Sequence, residues 1–174
     1  RPQHTTCRRQ RQMCIRDRNQ SRLEYLERLN EKRKLLTAEG IEEAQRHIHP
    51  KNACQVFFAP HWEVGILGLI ASHFSEKLNQ PIIACTEKSD GHVSASCRCP
   101  DSYNMIVGLR SCAEHFLHFG GHAGAAGFLT KKIKLKEIQK DLNTYFQTAS
   151  VHPPSTEIQS VLQAKTINFE LTDF

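Results

Sequence analysis

Residues 119–128 read FGGHAGAAGF, in which four glycines and three alanines surround a single histidine, His122. A tight turn needs only one or two glycines, because only one or two of its positions require a positive φ. Eight residues of nearly bare backbone instead allow a ligand to approach closely, as in glycine-rich loops that present N–H groups to phosphates. A tight helix-to-strand connection packed against a neighbour is the alternative that this composition leaves open.

The segments around this stretch alternate between helix and strand. Apolar residues at helical spacing predict helices over 20–48, 63–79, 102–119 and 134–149, with Gly40 a candidate break in the first and Gly120-Gly121 ending the third. Short apolar or alternating runs predict strands over 54–59, 81–85 and 92–98, and another that begins at Phe128. This order predicts an α/β fold with a mixed central sheet flanked by helices.

The composition is that of a soluble globular protein, with 39% hydrophobic and 24% charged residues in a chain of 174. Apolar runs fall far short of the ~18 residues that a membrane span needs, and the N-terminus lacks the apolar core of a signal peptide. Seven scattered cysteines are an odd number, which favours free thiols in a reducing cytoplasm.

The net charge of +5 is located in the first 18 residues, which hold six arginines and one aspartate. The rest of the chain balances 17 basic against 17 acidic residues, so the charge does not indicate a DNA-binding face. Residues 1–18 have no hydrophobic period, and their MCIRDR run looks like a translated sequencing adaptor. We therefore expect a non-native or disordered tail, with a genuine basic arm as the alternative.

Two groups of residues have partial metal-site spacing. His115, His118 and His122 would share one helical face, but the two glycines interrupt that helix before His122. Cys97-x-Cys99, with His92 upstream, resembles half of a zinc site whose second pair is missing. Exposed helix residues and core cysteines are the alternatives, and no metal ligand is predicted in this chain.

A row of polar side chains is predicted on the strand 92–98. Alternation places Ser94, Ser96 and Arg98 on the same face of that strand. Two hydroxyls and a guanidinium suit the recognition of phosphate or carboxylate, although a solvated strand face has the same pattern.

Three motifs, in order and spacing, resemble the RecJ family of single-stranded-DNA-specific exonucleases. They are HWEVGILGLIASHFSEKLNQPII (61–83), SCRCPDSYNMIVGL (96–109) and FGGHAGAAGF (119–128). The resemblance covers residues 25–174 and is to the DHH-associated, substrate-binding domain of that family. It implies a linker helix over 19–49, the α/β domain over 50–148, a linker over 149–156 and the start of an oligonucleotide-binding barrel over 157–174.

The resemblance also implies a phosphate site. The residues that match the family motifs are Ser96, Arg98, Gly120, Gly121, His122, Ala125, Ala126 and Gly127. Arg98 and His122 are expected to assist catalysis without binding metal. One departure is Glu63-Val64-Gly65, where many members have a histidine after the tryptophan, so no histidine role transfers to Glu63.

The resemblance implies single-stranded DNA and an upstream DHH lobe as partners, and a role in DNA repair and recombination, with no membrane association. The family holds manganese or magnesium with an Asp-His-His motif in that lobe, and this sequence contains no such motif. We therefore expect no cofactor and no nuclease activity from this chain alone. The alternatives are a related domain of a small-nucleotide phosphoesterase, acting on cyclic dinucleotides or nanoRNA, a tRNA-editing protein, or a free-standing α/β binding module.

Overall fold

The computed structural model describes the backbone of residues 4–149 and the side chains of residues 20–149. The helices are α1 (His4–Gln45), α2 (Val64–Leu78), α3 (Met105–Arg110) and α4 (Leu135–Thr148), and the strands are β1 (Gln55–Phe58), β2 (Ile82–Glu87), β3 (His92–Arg98), β4 (Phe116–Gly121) and β5 (Ala125–Lys131). The predicted linker from 150 onward and the predicted barrel start at 157–174 lie outside the described residues. Within residues 4–149, no helix combines the length and apolarity that crossing a membrane requires.

The five strands form one mixed sheet in the order β1-β2-β3-β5-β4. β1 and β2 are parallel and are joined by the crossover helix α2, whereas β2–β3, β3–β5 and β5–β4 are antiparallel. Together with the long helix α1, this confirms the predicted α/β fold with a mixed sheet flanked by helices.

Each face of the sheet has its own hydrophobic core. On one face, α2 and the end of α1 cover β1 and β2, and the largest fully buried side chains there are those of Phe57, Leu67, Ile70, Phe74 and Ile82. On the other face, α3 and α4 pack across the sheet, with the buried side chains of Ile83, Val93, Met105, Leu109, Phe128, Ile138, Leu142 and Phe146. Complete burial of each such side chain contributes about 1.5–3 kcal/mol.

Helix α1 differs from the sequence expectation at both its start and its middle. It begins at His4 and so includes residues 4–18, for which the sequence analysis expects a non-native or disordered tail. The segment from residue 3 to residue 39 contains neither glycine nor proline, and its many arginine and glutamine residues favour helix. Gly40 does not break the helix: a Cβ there would lie 2.6 Å from Ile70 Cδ1, so the glycine allows α1 to approach α2.

The prediction of a single helix over 102–119 is wrong. The chain forms the short helix α3, then a 3₁₀ turn at Ala113–His115, and then the edge strand β4. The Ser111 hydroxyl donates to the Gly108 carbonyl (2.7 Å), and the Cys112 N–H donates to the Leu109 carbonyl (3.2 Å), which tightens the end of α3. Phe119 then pairs with Phe128 across β4 and β5, a contact that local helical periodicity cannot reveal.

Candidate nucleic-acid interface

The glycine-rich stretch is a β-hairpin. Phe119–Gly121 end β4, Ala125–Phe128 begin β5, and residues 122–124 form the turn between them. The His122 N–H donates to the Ala125 carbonyl at 2.8 Å and closes the turn. The predicted loop of exposed N–H groups is therefore mostly paired strand, and the His122 N–H is not free to bind a ligand.

Two further backbone hydrogen bonds attach this turn to its neighbours. The carbonyl of Ala123 accepts from the Met105 N–H (2.9 Å), and that of Gly124 accepts from the Cys99 N–H (3.1 Å). The turn is thereby held at the end of β3 and at the start of α3. These two hydrogen bonds set its position relative to β3 and α3.

Gly121 is required by the backbone of the hairpin. Its φ is +141°, and a Cβ at this position would lie 2.4 Å from both the Ala125 carbonyl oxygen and the Ala126 Cα. Its neighbour Gly120 is exposed and has nothing within 4 Å of the corresponding Cβ position. Gly121 is thus needed for the backbone conformation of the hairpin, whereas Gly120 leaves open space above the sheet.

The strand register brings most of the predicted site residues onto one face. Ser96 lies opposite Gly127, which lies opposite Gly120, and Arg98 lies opposite Ala125. Because side chains alternate along each strand, these five residues share the face on which α2 packs. Helix α2 packs over β1 and β2 and reaches β3 at Gly68, and it leaves these five residues half-buried or exposed. We call the surface that they form on β3, β5 and β4 the open face.

Ala126 lies elsewhere. It occupies the opposite side of β5, is 8% exposed and packs in the core beneath α3 and α4. The prediction that grouped Ala126 with the phosphate-binding residues therefore receives no side-chain support, and Gly121, its strand partner, acts through the backbone geometry described above.

The backbones of Arg98 and His122 lie at the same end of the open face. Arg98 pairs with Ala125, and Ala125 in turn accepts the His122 N–H, so two strand spacings of about 5 Å separate the two backbones. His122 is exposed, and its ring has no hydrogen-bond partner among the side chains at 20–149. Residues 24 positions apart in the sequence thus become neighbours across one strand.

The guanidinium of Arg98 is held on one edge and has no acidic partner. Its Nη1 donates to the Cys97 carbonyl (2.8 Å) and to Ser96 Oγ (3.2 Å). Among the residues whose side chains are described, no carboxylate lies within ion-pair distance of this half-buried group. Its positive charge and remaining donors are available to an anion.

A polar cleft of about 550 Å³ adjoins Arg98, between the C-terminal half of α2 and the segment after β3. Its lining includes Asn79 and two carboxylates, Glu76 and Asp101, together with Gly124 of the turn. The carboxylates make this cleft less favourable for a phosphate than the open face.

Glu63, the position that departs from the family motif, lies just before α2. Its carboxylate forms an exposed ion pair with Lys32 of α1 at 2.8 Å. Such exposed ion pairs contribute only about 0–1 kcal/mol to the free energy of unfolding.

The two metal-site patterns do not assemble. Within the described side chains, the group with metal-like spacing is Glu114, His115 and Asp141, which includes neither His118 nor His122. His115 Nε2 lies 2.9 Å from Asp141 Oδ2, and its Nδ1 lies 3.4 Å from Glu137 Oε2, an arrangement that ties the 3₁₀ turn to α4.

The cysteines at 54–112 are core residues. Cys54, Cys85, Cys97, Cys99 and Cys112 are all buried and unpaired. Burial raises the pKa of Cys85 to about 12 and the pKa values of Cys54 and Cys97 well above the usual range. All five thiols are part of the hydrophobic core beneath α3 and α4.

Sequence reasoning did not identify Gly68 of α2. A Cβ at this position would lie 2.9 Å from Arg98 Nη2 and 3.4 Å from Ser96 Oγ. A glycine in the middle of an apolar helix, in the run GILGL, is the signal that points to such a close approach.

Comparison with known proteins identifies relatives that are similar in sequence. The chain is 25% identical over 122 residues to the single-stranded-DNA-specific exonuclease RecJ of Bacillus subtilis, which covers 68% of this chain and 16% of that protein. It is 32% identical over 87 residues to RecJ of Escherichia coli, covering 48% of this chain and 15% of that protein. The chain thus spans about a sixth of the length of these relatives.

The fold agrees with a solved structure. The crystal structure of RecJ from Thermus thermophilus in complex with Mg²⁺ superposes with a TM-score of 0.69 at 23% identity, over 76% of this chain and 21% of that one. The model of the DHHA1 domain family matches residues 51–148, which is more than half of the chain. The chain therefore belongs to the DHHA1 domain family, and its relatives over this region are RecJ exonucleases.

Proposed function

We propose that this chain is the substrate-binding part of a RecJ-type single-stranded-DNA exonuclease and holds a DNA phosphate on its open face. The observation that carries the proposal is the Arg98 guanidinium, which lies at the end of the open face with no carboxylate partner among residues 20–149. A half-buried cation without a counter-ion is costly unless a ligand supplies one. Phosphate oxygens match the paired donors of a guanidinium.

The bare surface beside Arg98 supports the same ligand. Gly120 and Gly127 face each other across β4 and β5, and Ala125 follows them towards the end of the sheet. With no side chain larger than a methyl group in this strip, a phosphodiester backbone can lie against the sheet. The Ser96 hydroxyl, at the edge of the strip, adds one more polar contact.

His122 contributes at the stage when charge develops. Hydrolysis of a phosphodiester places negative charge on the non-bridging oxygens, and a donor aimed at them stabilises the transition state more than the ground state. The exposed, unpartnered ring of His122 stands two strands away from Arg98 and can supply such a donor. We propose that Arg98 mainly holds the substrate and that His122 assists the reaction.

The relatives include a RecJ structure with Mg²⁺ and one with Mn²⁺. The described residues do not fit such an ion at the open face, because Glu114, His115 and Asp141 are associated with α4, on the opposite side of the sheet. The sequence has no Asp-His-His motif. We propose that the ion and its ligands belong to an upstream lobe and that this chain alone does not cleave DNA.

Helix α1 presents a surface for that lobe. Leu23, Leu26 and Leu29 recur every three residues and are 50%, 60% and 44% exposed. Exposed leucines at this spacing lie on one side of a helix and are typical of a face that a partner covers. Participation in DNA repair and recombination, in the cytoplasm, follows from the same proposal.

The experiment is a titration of a fluorescently labelled single-stranded thymidine oligonucleotide at low salt, followed by anisotropy. Arg98→Ala should weaken binding roughly 30-fold or more, which corresponds to about 2–5 kcal/mol for a desolvated charge pair. Arg110→Ala is the matched control, because Arg110 is an exposed arginine at the end of α3 and should have little effect. Equal affinity of the two variants would contradict the proposal.

The salt dependence separates the proposed site from a general basic surface. Each neutralised phosphate of a single strand contributes a slope of about −0.7 in log affinity against log salt. A site built on Arg98 should give a shallow slope, which corresponds to the neutralisation of one to two phosphates. Equal affinity for a mononucleotide and for a long strand would favour a small-nucleotide phosphoesterase instead.

A further inference from the structure

Gly68 lies in the interior of α2, where glycine is an unfavourable choice. Relative to alanine, glycine destabilises a helix interior by about 1 kcal/mol. It is the fifth residue of a 15-residue helix that ends ten residues later at Leu78, so it caps neither end. A close contact instead explains the absence of a side chain at residue 68.

The contact is with the candidate phosphate-binding arginine. A Cβ at residue 68 would lie 2.9 Å from Arg98 Nη2 and 3.6 Å from Arg98 Cζ. The guanidinium therefore rests directly on the bare backbone of α2. Its other edge is held by the Cys97 carbonyl and Ser96 Oγ, so it has little room to withdraw without losing those bonds.

We infer that Gly68 is a positioning residue that sets the orientation of Arg98 for phosphate binding; this inference rests on the proposed function. The crowded atoms belong to the tip of a flexible side chain, not to backbone. A methyl group at residue 68 thus displaces the guanidinium and leaves the helix intact. Stability and binding respond in opposite directions, which a purely structural role for this glycine would not produce.

The chain contains a matched control. Gly65 lies in the same helix, one turn before Gly68, and a Cβ there would have nothing within 4 Å. Gly65→Ala and Gly68→Ala make the same chemical change in the same element. Only the second reaches Arg98.

The test uses the whole chain and a labelled single-stranded thymidine oligonucleotide, with circular dichroism as the measure of folding. Gly68→Ala should keep or raise the melting temperature and lower the affinity about tenfold, the size of one lost hydrogen bond to a charged group. Gly65→Ala should bind like the unaltered chain. In an Arg98→Ala background, Gly68→Ala should change the affinity less than twofold, because the group through which it acts is gone.

A second readout does not depend on the oligonucleotide. The Nε–H resonance of Arg98 in a ¹⁵N-labelled sample should shift in Gly68→Ala and stay in place in Gly65→Ala. An unshifted resonance, a lowered melting temperature, or Gly68→Ala affinity equal to that of Gly65→Ala would overturn the inference. If Arg98→Ala binds as tightly as the unaltered chain, or if the unaltered chain binds no oligonucleotide, the proposed function fails as well.

Discussion

Replacement of Gly121 by alanine tests whether the glycine-rich hairpin is fixed by backbone geometry. The φ of +141° at Gly121 lies in a region that residues with a side chain rarely adopt, at a cost of about 1–3 kcal/mol. The new methyl group would also lie 2.4 Å from two backbone atoms of β5, which cannot rotate away. Relief requires the strands to separate at this end, which weakens the His122–Ala125 hydrogen bond by about 0.5–1.5 kcal/mol.

We therefore expect Gly121→Ala to lower the free energy of unfolding by about 2–4 kcal/mol. For a domain of this size, the melting temperature should fall by about 5–15 °C. The assay is urea unfolding followed by circular dichroism, with the melting temperature measured in parallel. Gly120→Ala is the control, because it changes the adjacent residue where the Cβ position is empty.

Gly120→Ala should stay within about 0.5 kcal/mol of the unaltered chain. Because Gly120 lies on the open face, its methyl group should still weaken oligonucleotide binding. The two neighbouring glycines thus separate stability from binding. If both variants unfold at the same urea concentration, the argument from the backbone of Gly121 is wrong.

Two further predictions concern the cores. Trp62 Nε1–H donates to Glu43 at 2.9 Å, so Glu43→Ala should leave a buried donor unpaired and lower the free energy of unfolding by about 1–3 kcal/mol. Glu42→Ala, at an exposed position, should lower it by less than about 0.5 kcal/mol. Urea unfolding followed by the fluorescence of the single tryptophan measures both variants. Burial raises the pKa of Cys85 from 9.0 to about 12 in the folded chain, so above pH 9 the thiol loses its proton in the unfolded chain but keeps it in the folded one. Stability from this group is complete below pH 9 and declines as the pH rises towards 12, so the urea midpoint should fall between pH 8 and pH 10, and Cys85→Ala should reduce the fall.

Local periodicity predicts the elements whose pattern is set by one buried face. Helix α2 and strand β3 follow from the apolar run at 64–74 and from the alternation at 92–98, and both form where expected. Strand β4 does not follow, because its apolar residues also fit a helix. Pairing with β5 decides the outcome, and that pairing depends on a strand that comes later in the chain.

The candidate site also has one part that local periodicity predicts and another part that depends on tertiary structure. The row Ser94, Ser96 and Arg98 is visible in the sequence because alternation along one strand is a local property. The proximity of Arg98 to His122 is expected from the family resemblance, which places both in one phosphate site. Local periodicity alone does not predict it, because it depends on the register of two further strands. The contact between Gly68 and Arg98 depends on how α2 crosses the sheet, so the sequence shows only an unexplained glycine.

The two halves of the sheet face beneath α2 differ in the side chains they present. Where α2 covers it, on β1 and β2, the face carries Phe57, Ile82 and Ala84, which are buried in a hydrophobic core. At the end near the hairpin, on β3, β5 and β4, it carries Ser96, Gly127, Gly120 and Ala125, with Arg98 at the edge. A face made to be covered by another helix would need large apolar side chains, since burial of apolar area is the main force that holds such layers together. The open face lacks them at this end, and its bare strip beside Arg98 suits a polar chain that binds through its phosphates better than it suits another element of a protein fold.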